Sequence, residues 1–566
     1  MTIFSLRAFI RLLPARHSLG DGGSPVLRPL SSVLCLLSSV FWLLATTGCL
    51  KHGTDVERGN REQVLHRGTG YEIGNLDPHL ATNISEMDLI SALFEGLVTE
   101  DPTDLHPVPG VAERWEVSSD QLTYTFFLRA GAHWSNGTPL TAEDFVASWR
   151  RILTPSLASA NAGLLYVLQG AEAFAKGGAK DFAQVGVKAV DARTLQVTLA
   201  QPTPYFLSLL THTAWLPVPL SVITVNGPAY ERGNSWASAG HLVGNGAFTL
   251  QSWAPNQRII AVKSPAYWDA AHVRLNAIHF HPIDSLDAEE RAFRAGQLHV
   301  TYALPFAKGE SYRRDAPQFL RADPYLNSYF LRLNVARPFL NEPRVRRALA
   351  LGVDRDALAG KILRGGQLPA HAFTPPGTAG YTPAAQLPTD FAAARQLLVE
   401  AGYPGGRGLP AFELLYNNSE NHRLIAEAVQ EMWRRELGVQ VRLVNQEFKA
   451  VLEQRRTGQY QILFSDWVGD YLDPSTFLDV WRTDSGNNHT GWSSPAYDSL
   501  LRSASLTTDA AAREAFFQKA EALLLEAAPL VPLYYNTHIF LLQPSVKGWH
   551  PTLLDHHPYK HVWLEE

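Results

Sequence analysis

Residues 112–151 leave the backbone few choices. Leu122, Tyr124, Phe126 and Leu128 fall at every second position, the spacing that puts one face of a strand against a core. Asn136-Gly137 comes next, and both residues accept the positive φ that tight turns demand. Thr141, with Asp144 three positions on, forms a capping box, so a helix starts there and carries Phe145, Trp149 and Ile152 along one side. The segment predicts a hairpin followed by an amphipathic helix. A core of this kind needs more chain around it, and 566 residues supply enough for two or more compact lobes.

The rest of the chain alternates strand-like and helix-like stretches, which places it in the α/β class. Leu424, Ile425, Ala428, Val429 and Met432 recur at helical spacing, Gly438 stands where such a helix stops, and Val439, Val441 and Leu443 then alternate as a strand. Asn341-Glu342-Pro343 opens another helix, with proline suited to the first turn, that buries Val345, Ala348 and Leu349. Asp354 caps a further one bearing Leu358 and Ile362. Two extended runs, 325–334 and 530–536, read as paired connectors between lobes.

Composition narrows the partners. With 46% apolar and 18% charged residues and a formal net charge of −5, neither nucleic acid nor an acidic membrane surface is expected as the main partner. Arg7, Arg11, Arg16 and Arg28 precede the uncharged apolar stretch 30–44, and small residues lead from Ala45 to Gly48-Cys49. This is the build of an export signal, with an uncleaved membrane anchor as the alternative. Gly48-Cys49 resembles the end of a bacterial lipoprotein signal, which would make Cys49 the lipidated first residue, although Thr46 stands where leucine is usual. Either way the body lies outside the cytoplasmic membrane. Cys35 and Cys49 are the two cysteines, so the body beyond them has no internal disulfide, cysteine metal site or cysteine nucleophile. Residues 49–64 are expected to be a flexible tether, since 51–61 are polar and without period.

The identity of the residues goes further than their pattern. Ala112 and Trp115, the run Thr123-Tyr124-Thr125-Phe126, and Trp134-Ser135-Asn136-Gly137-Thr138-Pro139-Leu140-Thr141-Ala142-Glu143-Asp144-Phe145 closely resemble the signature of bacterial extracellular solute-binding proteins of the peptide/nickel class, family 5. These are the ligand-capturing subunits of ABC importers. The resemblance extends, with gaps, from about Leu65 to the C-terminus. It implies a type II periplasmic binding protein fold: two α/β lobes around a ligand cleft, plus an inserted subdomain. Along the chain that gives a signal at 1–48, the tether at 49–64, lobe I at 65–99, the subdomain at 100–225, lobe I again at 226–327, lobe II at 328–535 and a return to lobe I at 536–566.

The chain has no Gly-x-x-x-x-Gly-Lys-Ser/Thr loop, no His-Glu-x-x-His and no Gly-x-Ser-x-Gly elbow. A binding protein is expected, not an enzyme, with no catalytic residue, cofactor or metal. Segment 466–474 resembles the family's W-x-x-D-Y-x-D/E-P motif, which lines the cleft, with Trp467, Gly469, Asp470 and Tyr471 at its centre. By that resemblance Asp470 pairs with the α-ammonium group of a bound peptide, whose burial requires a formal negative charge; the alternative is an aspartate that merely shapes the loop. Trp467 either packs on the peptide or fills the core. Glu86, seven residues before the shared Leu93-Phe94-Glu95-Gly96-Leu97 motif, matches an acidic residue that helps hold ligand, or else is a solvated helix-face charge. Tyr302 matches a cleft tyrosine, followed by Ala303 where the family often has asparagine. Asn488, in a stretch resembling another cleft-adjacent segment, offers a donor and an acceptor to a ligand main chain. No residue is assigned to the ligand carboxylate. His550, His556, His557 and His561 crowd the C-terminal tail without metal-binding spacing and are read as structural or solvated.

The resemblance thus implies short peptides as ligands, an ABC permease with its ATPase subunits as partners, a lipid-anchored place in the periplasm or cell envelope, and a monomer. A nickel chelate or other small solute, a secreted hydrolase, and a non-transport sensor or docking role stand as alternatives.

Overall fold

The computed structural model describes residues 53–566 apart from position 484; the signal and Cys49 lie outside the described residues. Within the stretch 49–64 expected to be a flexible tether, Asp55–Glu62 is a helix. Thr54 and Glu57 cap it reciprocally at 3.1 and 2.9 Å, and Val56 and Gly59 turn inward. The polar composition masked a helix secured by its cap and one short buried face.

Among the described residues, three larger sheets organise the chain. The first runs Val64–Gly68, Ala277–His281, Arg258–Lys263, Phe248–Ala254, with its first pair parallel and the others antiparallel. Helix Ile84–Leu93 packs on it and buries Leu89, Ile90 and Leu93. The second is antiparallel in the order Ala112–Val117, Thr123–Leu128, Thr194–Thr198, Val187–Asp191. Tyr124, Phe126 and Leu128 point into its core, whereas Leu122 precedes the strand and stays at the margin. Helix Ala142–Leu153 covers this sheet with Phe145, Trp149 and Ile152, and the Asp144 carboxylate accepts the Thr141 N–H at 2.8 Å. In the turn before it only Gly137 takes a positive φ, +85°, while Asn136 accepts the Thr138 N–H at 3.0 Å. One hydrophobic core is continuous through both sheets.

The third sheet has the order Leu368–Pro369, Leu530–Leu541, Leu320–Leu333, Ile462–Val468, Phe412–Asn417, Val441–Gln446. Helix Glu420–Leu437 buries Ile425, Ala426, Val429 and Trp433. Its inward face is rotated from the expected one, leaving Leu424 exposed and Met432 half-buried. Ile362 is likewise exposed, since Leu358–Leu363 winds as a wider π-helix.

The two connectors are central strands of this sheet. They pair antiparallel from Leu320 opposite Leu541 to Arg332 opposite Leu530. At one end Ile539 and Leu541 cluster with Phe293, Leu298 and Leu304. At the other, Leu331, Leu333, Val531 and Leu533 belong to the core of the third sheet. Between the pairs Pro324–Thr537 and Ser328–Tyr535 one strand advances four residues and the other two. This bulge removes ladder hydrogen bonds where the chain passes from one core to the next, so bending is cheapest there. No helix among the described residues is long and apolar enough to cross a membrane.

Candidate ligand-binding cleft

Strand Ile462–Val468 lies mid-sheet, with Trp467 opposite Ser328 and Asp466 opposite Tyr329. Ligand groups in α/β folds gather where such strands end, and here the chain leaves the strand through Gly469. The Gly469 N–H donates to the Leu326 carbonyl at 2.8 Å. A Cβ at this position would fall 2.4 Å from the Leu326 side chain, so the close approach needs glycine. Thr476 then pins the loop: its hydroxyl accepts the Asp470 N–H at 2.9 Å and its carbonyl accepts the Trp467 Nε1–H at 2.7 Å. Trp467 is half-buried and packs at the edge of the core around Phe330 and Trp481.

The Asp470 carboxylate has no hydrogen bond and no ion pair among the described residues. It is open to solvent on one side yet set deep among protein atoms, as a group on a cleft wall is. Burial alone pushes its pKa up to about 6. Asp473, three residues on, is the reverse. Arg513 grips it with two hydrogen bonds of 2.7 and 2.8 Å, and Ser475 donates to it through N–H and hydroxyl. Tyr471 is buried, stacks on Tyr205 with ring centres 4.7 Å apart, and so joins this loop to the region of the second sheet.

Tyr302 lies on the other side of the connectors. Its N–H donates to Glu289 at 2.9 Å, His538 on the strand Leu530–Leu541 contacts its carbonyl at 2.5 Å, and its ring packs edge-on against Tyr71. Gly70, at φ +73°, leaves room for that ring; a Cβ there would sit 2.4 Å from it. His538 in turn meets Asp555 at 2.8 Å, and Asp555 meets His557 at 3.0 Å. Burial depresses the His557 pKa, whereas the neighbouring carboxylate holds that of His538 up. His556 pairs with Glu100 at 3.0 Å, which raises it to about 9 despite burial. The tail histidines at 556 and 557 thus brace the C-terminal segment.

At two of the expected ligand contacts the side chain already has partners within the protein. Glu86 is neither a solvated charge nor a free one: it is 5% exposed, and its two oxygens accept the N–H groups of Gly74 and Thr82, each at 3.2 Å. Asn488 is spent on its own loop. Its amide donates to the carbonyls of Trp481, Arg482 and Trp492 at 3.0–3.1 Å, and its oxygen accepts from Thr490. Buried Arg332 completes that loop by donating to the carbonyls of Asn487 and Asn488 at 3.0 and 2.8 Å. Asp466 opens the expected segment 466–474 but has no role of its own there, and Tyr329, Tyr534 and Tyr205 lie outside the expected site; only strand register, unreadable from one sequence, brings the first three together.

Metal-binding geometry is sparse. Among the described residues Asp101, Asp104 and His106 bring ligand atoms within 4.8 Å of one another on a surface turn, but His106 Nδ1 already sits 2.6 Å from Asp104. Cavities of about 570 Å³ beside Phe293 and Tyr312, and about 830 Å³ beneath helix Ala142–Leu153, do not include Asp470.

Residues 106–489 match the family model described as bacterial extracellular solute-binding proteins, family 5 Middle. The periplasmic oligopeptide-binding protein OppA of Escherichia coli is 38% identical over 501 residues, spanning 86% of this chain and 90% of that protein. The solved structure of the Escherichia coli murein tripeptide binding protein MppA superposes with a TM-score of 0.76 at 36% identity, covering 89% of this chain and 98% of that one. Haemophilus influenzae OppA in complex with the peptide RPPGFSPFR gives 0.74 at 32% identity, covering 89% and 99%.

Proposed function

This chain belongs to the bacterial extracellular solute-binding proteins of family 5, and from that premise we propose that it is the substrate-capturing subunit of a peptide ABC importer. Its fold is the type II periplasmic binding protein fold, and the proteins it resembles bind oligopeptides or murein tripeptide in the periplasm. Short peptides are held between two lobes, residues 65–327 with 536–566 on one side and 328–535 on the other, with 100–225 as the inserted subdomain. The loaded protein then delivers its peptide to a membrane permease driven by separate ATPase subunits. It acts as a monomer, exported by the signal at 1–48 and anchored through lipidated Cys49. Its role is binding, not turnover.

The observation that carries this reading is the unpaired Asp470 carboxylate. A peptide ammonium is costly to bury without a counter-charge, and a carboxylate buried without a cation has a pKa raised toward neutrality, as here. Each supplies what the other lacks. Sequence-tolerant capture follows if main-chain hydrogen bonds give affinity and hydrated pockets take the side chains. Closure needs contacts made only in the shut form, because a ligand with equal affinity for both forms shifts nothing; the bulged connectors are where such bending is placed.

Mass spectrometry of small molecules released from the purified protein is the direct test. Short peptides with free N-termini are the expected result. A nickel complex or an oligosaccharide, with peptides absent, overturns the ligand assignment.

A further inference from the structure

Asp470 is not the only open acidic group on this wall. Side chains alternate along strand Ile462–Val468, so Asp466 shares a face with Phe464 and lies directly across from Tyr329. Tyr329 in turn lies directly across from Tyr534 on the next strand. The three form a row over three adjacent strands. The two tyrosine rings stack with centres 4.6 Å apart and planes 11° from parallel.

The polar atoms of this row are nearly unused. Tyr534 is only 4% exposed, and its hydroxyl has no hydrogen-bond partner among the described residues, yet that atom is not sealed from solvent. A hydroxyl that reaches solvent at the edge of a packed ring can pair with a ligand group or with water. The Asp466 carboxylate receives one hydrogen bond, 3.1 Å from Asn327 Nδ2, out of roughly four that a carboxylate accepts. It remains open to solvent and forms no ion pair among the described residues. Arg455 and Arg332 are near enough to be felt, but the Arg332 guanidinium donates to the loop at Asn487 and Asn488. Burial outweighs both arginines, and the Asp466 pKa is raised.

Chemistry selects the group that would satisfy such a row. A carboxylate demands a positive charge, an idle hydroxyl accepts an N–H, and stacked aromatic faces attract cations. A second ligand carboxylate would be repelled, and an aliphatic group would leave Asp466 desolvated and unpaired. We propose that Asp466, Tyr329 and Tyr534 form a pocket for a basic side chain, so that the preferred cargo is a short peptide carrying lysine or arginine as well as its free N-terminus. This rests on the peptide-binding reading above and narrows it. Asp470 takes the α-ammonium, and Asp466 takes the second positive charge.

Isothermal titration calorimetry on the ligand-free protein tests this with a tripeptide series of free N-termini: lysine, arginine, norleucine or glutamate placed at each position in an alanine background. At one position, lysine and arginine should bind about 10–100-fold tighter than norleucine, with glutamate weakest. Asp466→Asn should collapse that ratio towards one, and Tyr534→Phe should reduce it. Equal affinity for lysine and norleucine at every position of the unaltered protein would overturn the pocket while leaving peptide binding intact, as would a ratio that survives Asp466→Asn. Failure of every tripeptide to bind would bring down the peptide reading and this inference with it.

Discussion

Glu86 and Asp470 are acidic residues that family resemblance sends to the same ligand, yet the fold treats them in opposite ways. At Glu86 the chain supplies two backbone donors and closes over the carboxylate. At Asp470 it supplies none, keeps one side open, and lets burial raise the pKa to about 6. The first arrangement lowers the energy of the folded protein by satisfying N–H groups that loop 74–82 would otherwise leave bare. The second raises it, a cost that the ammonium group of the proposed peptide would remove. An acidic residue near a cleft is therefore informative only once its donors are counted. Asp473 makes the same point within one loop: three residues from Asp470, it is fully engaged by Arg513 and Ser475.

The contrast breaks most visibly at Asp470. Asp470→Asn should weaken peptides with free N-termini by about 2–5 kcal/mol while N-acetylated analogues lose far less, as calorimetry would show. Equal losses for both classes would put Asp470 in the same category as Asp473. Glu86→Gln should do the opposite. It replaces one acceptor oxygen by an NH₂ facing a backbone N–H, and should lower unfolding stability by about 1–3 kcal/mol in a denaturant titration. The preference for free over acetylated N-termini should not change. A selective loss of free peptides in this variant would return Glu86 to the ligand.

How much of this could be read beforehand depends on the range of the interactions involved. The α/β class, the helix after Thr141 and the long connectors follow from local period and capping, and the structure contains them. The helix Asp55–Glu62 is legible too, in the capping pair Thr54 and Glu57, a signal that polar composition alone does not carry. The loop 466–474 could be located from its motif. Which carboxylate in it is free could not, because that depends on Arg513, forty residues away, reaching Asp473 and not Asp470. Asn488 shows the same limit: sequence offers its amide as a donor and acceptor to a ligand, but in the fold its partners are carbonyls that its own loop folds back to present. Asp466 belongs to the segment 466–474 that the motif marks, but its own role is not legible there, since a face on a strand acquires meaning only from its neighbours, Tyr329 and Tyr534, which lie far off in sequence.

The smallest expected effect is also the most diagnostic of an unpaired charge. A carboxylate whose pKa rises from the ordinary value near 4 to about 6 on folding holds its proton more tightly in the folded state. Its ionised form therefore costs stability above pH 6, and that cost fades as pH falls through 6 and is gone below about 4. Asp470→Asn removes the charge, so the ligand-free variant should unfold later than the unaltered protein at pH 7.5, by about 1 kcal/mol or less once solvent screening of an accessible group is allowed for. The gain should shrink between pH 6 and 4. Thermal melts of both proteins, stripped of ligand by unfolding and refolding, would measure it across that range. A variant that is less stable at pH 7.5 would mean that the Asp470 carboxylate has a donor within the protein, and the distinction between it and Glu86 would disappear. A variant that gains stability while losing peptide would identify the destabilising charge with the one that captures ligand, which is the trade expected of a site built to wait for a cation.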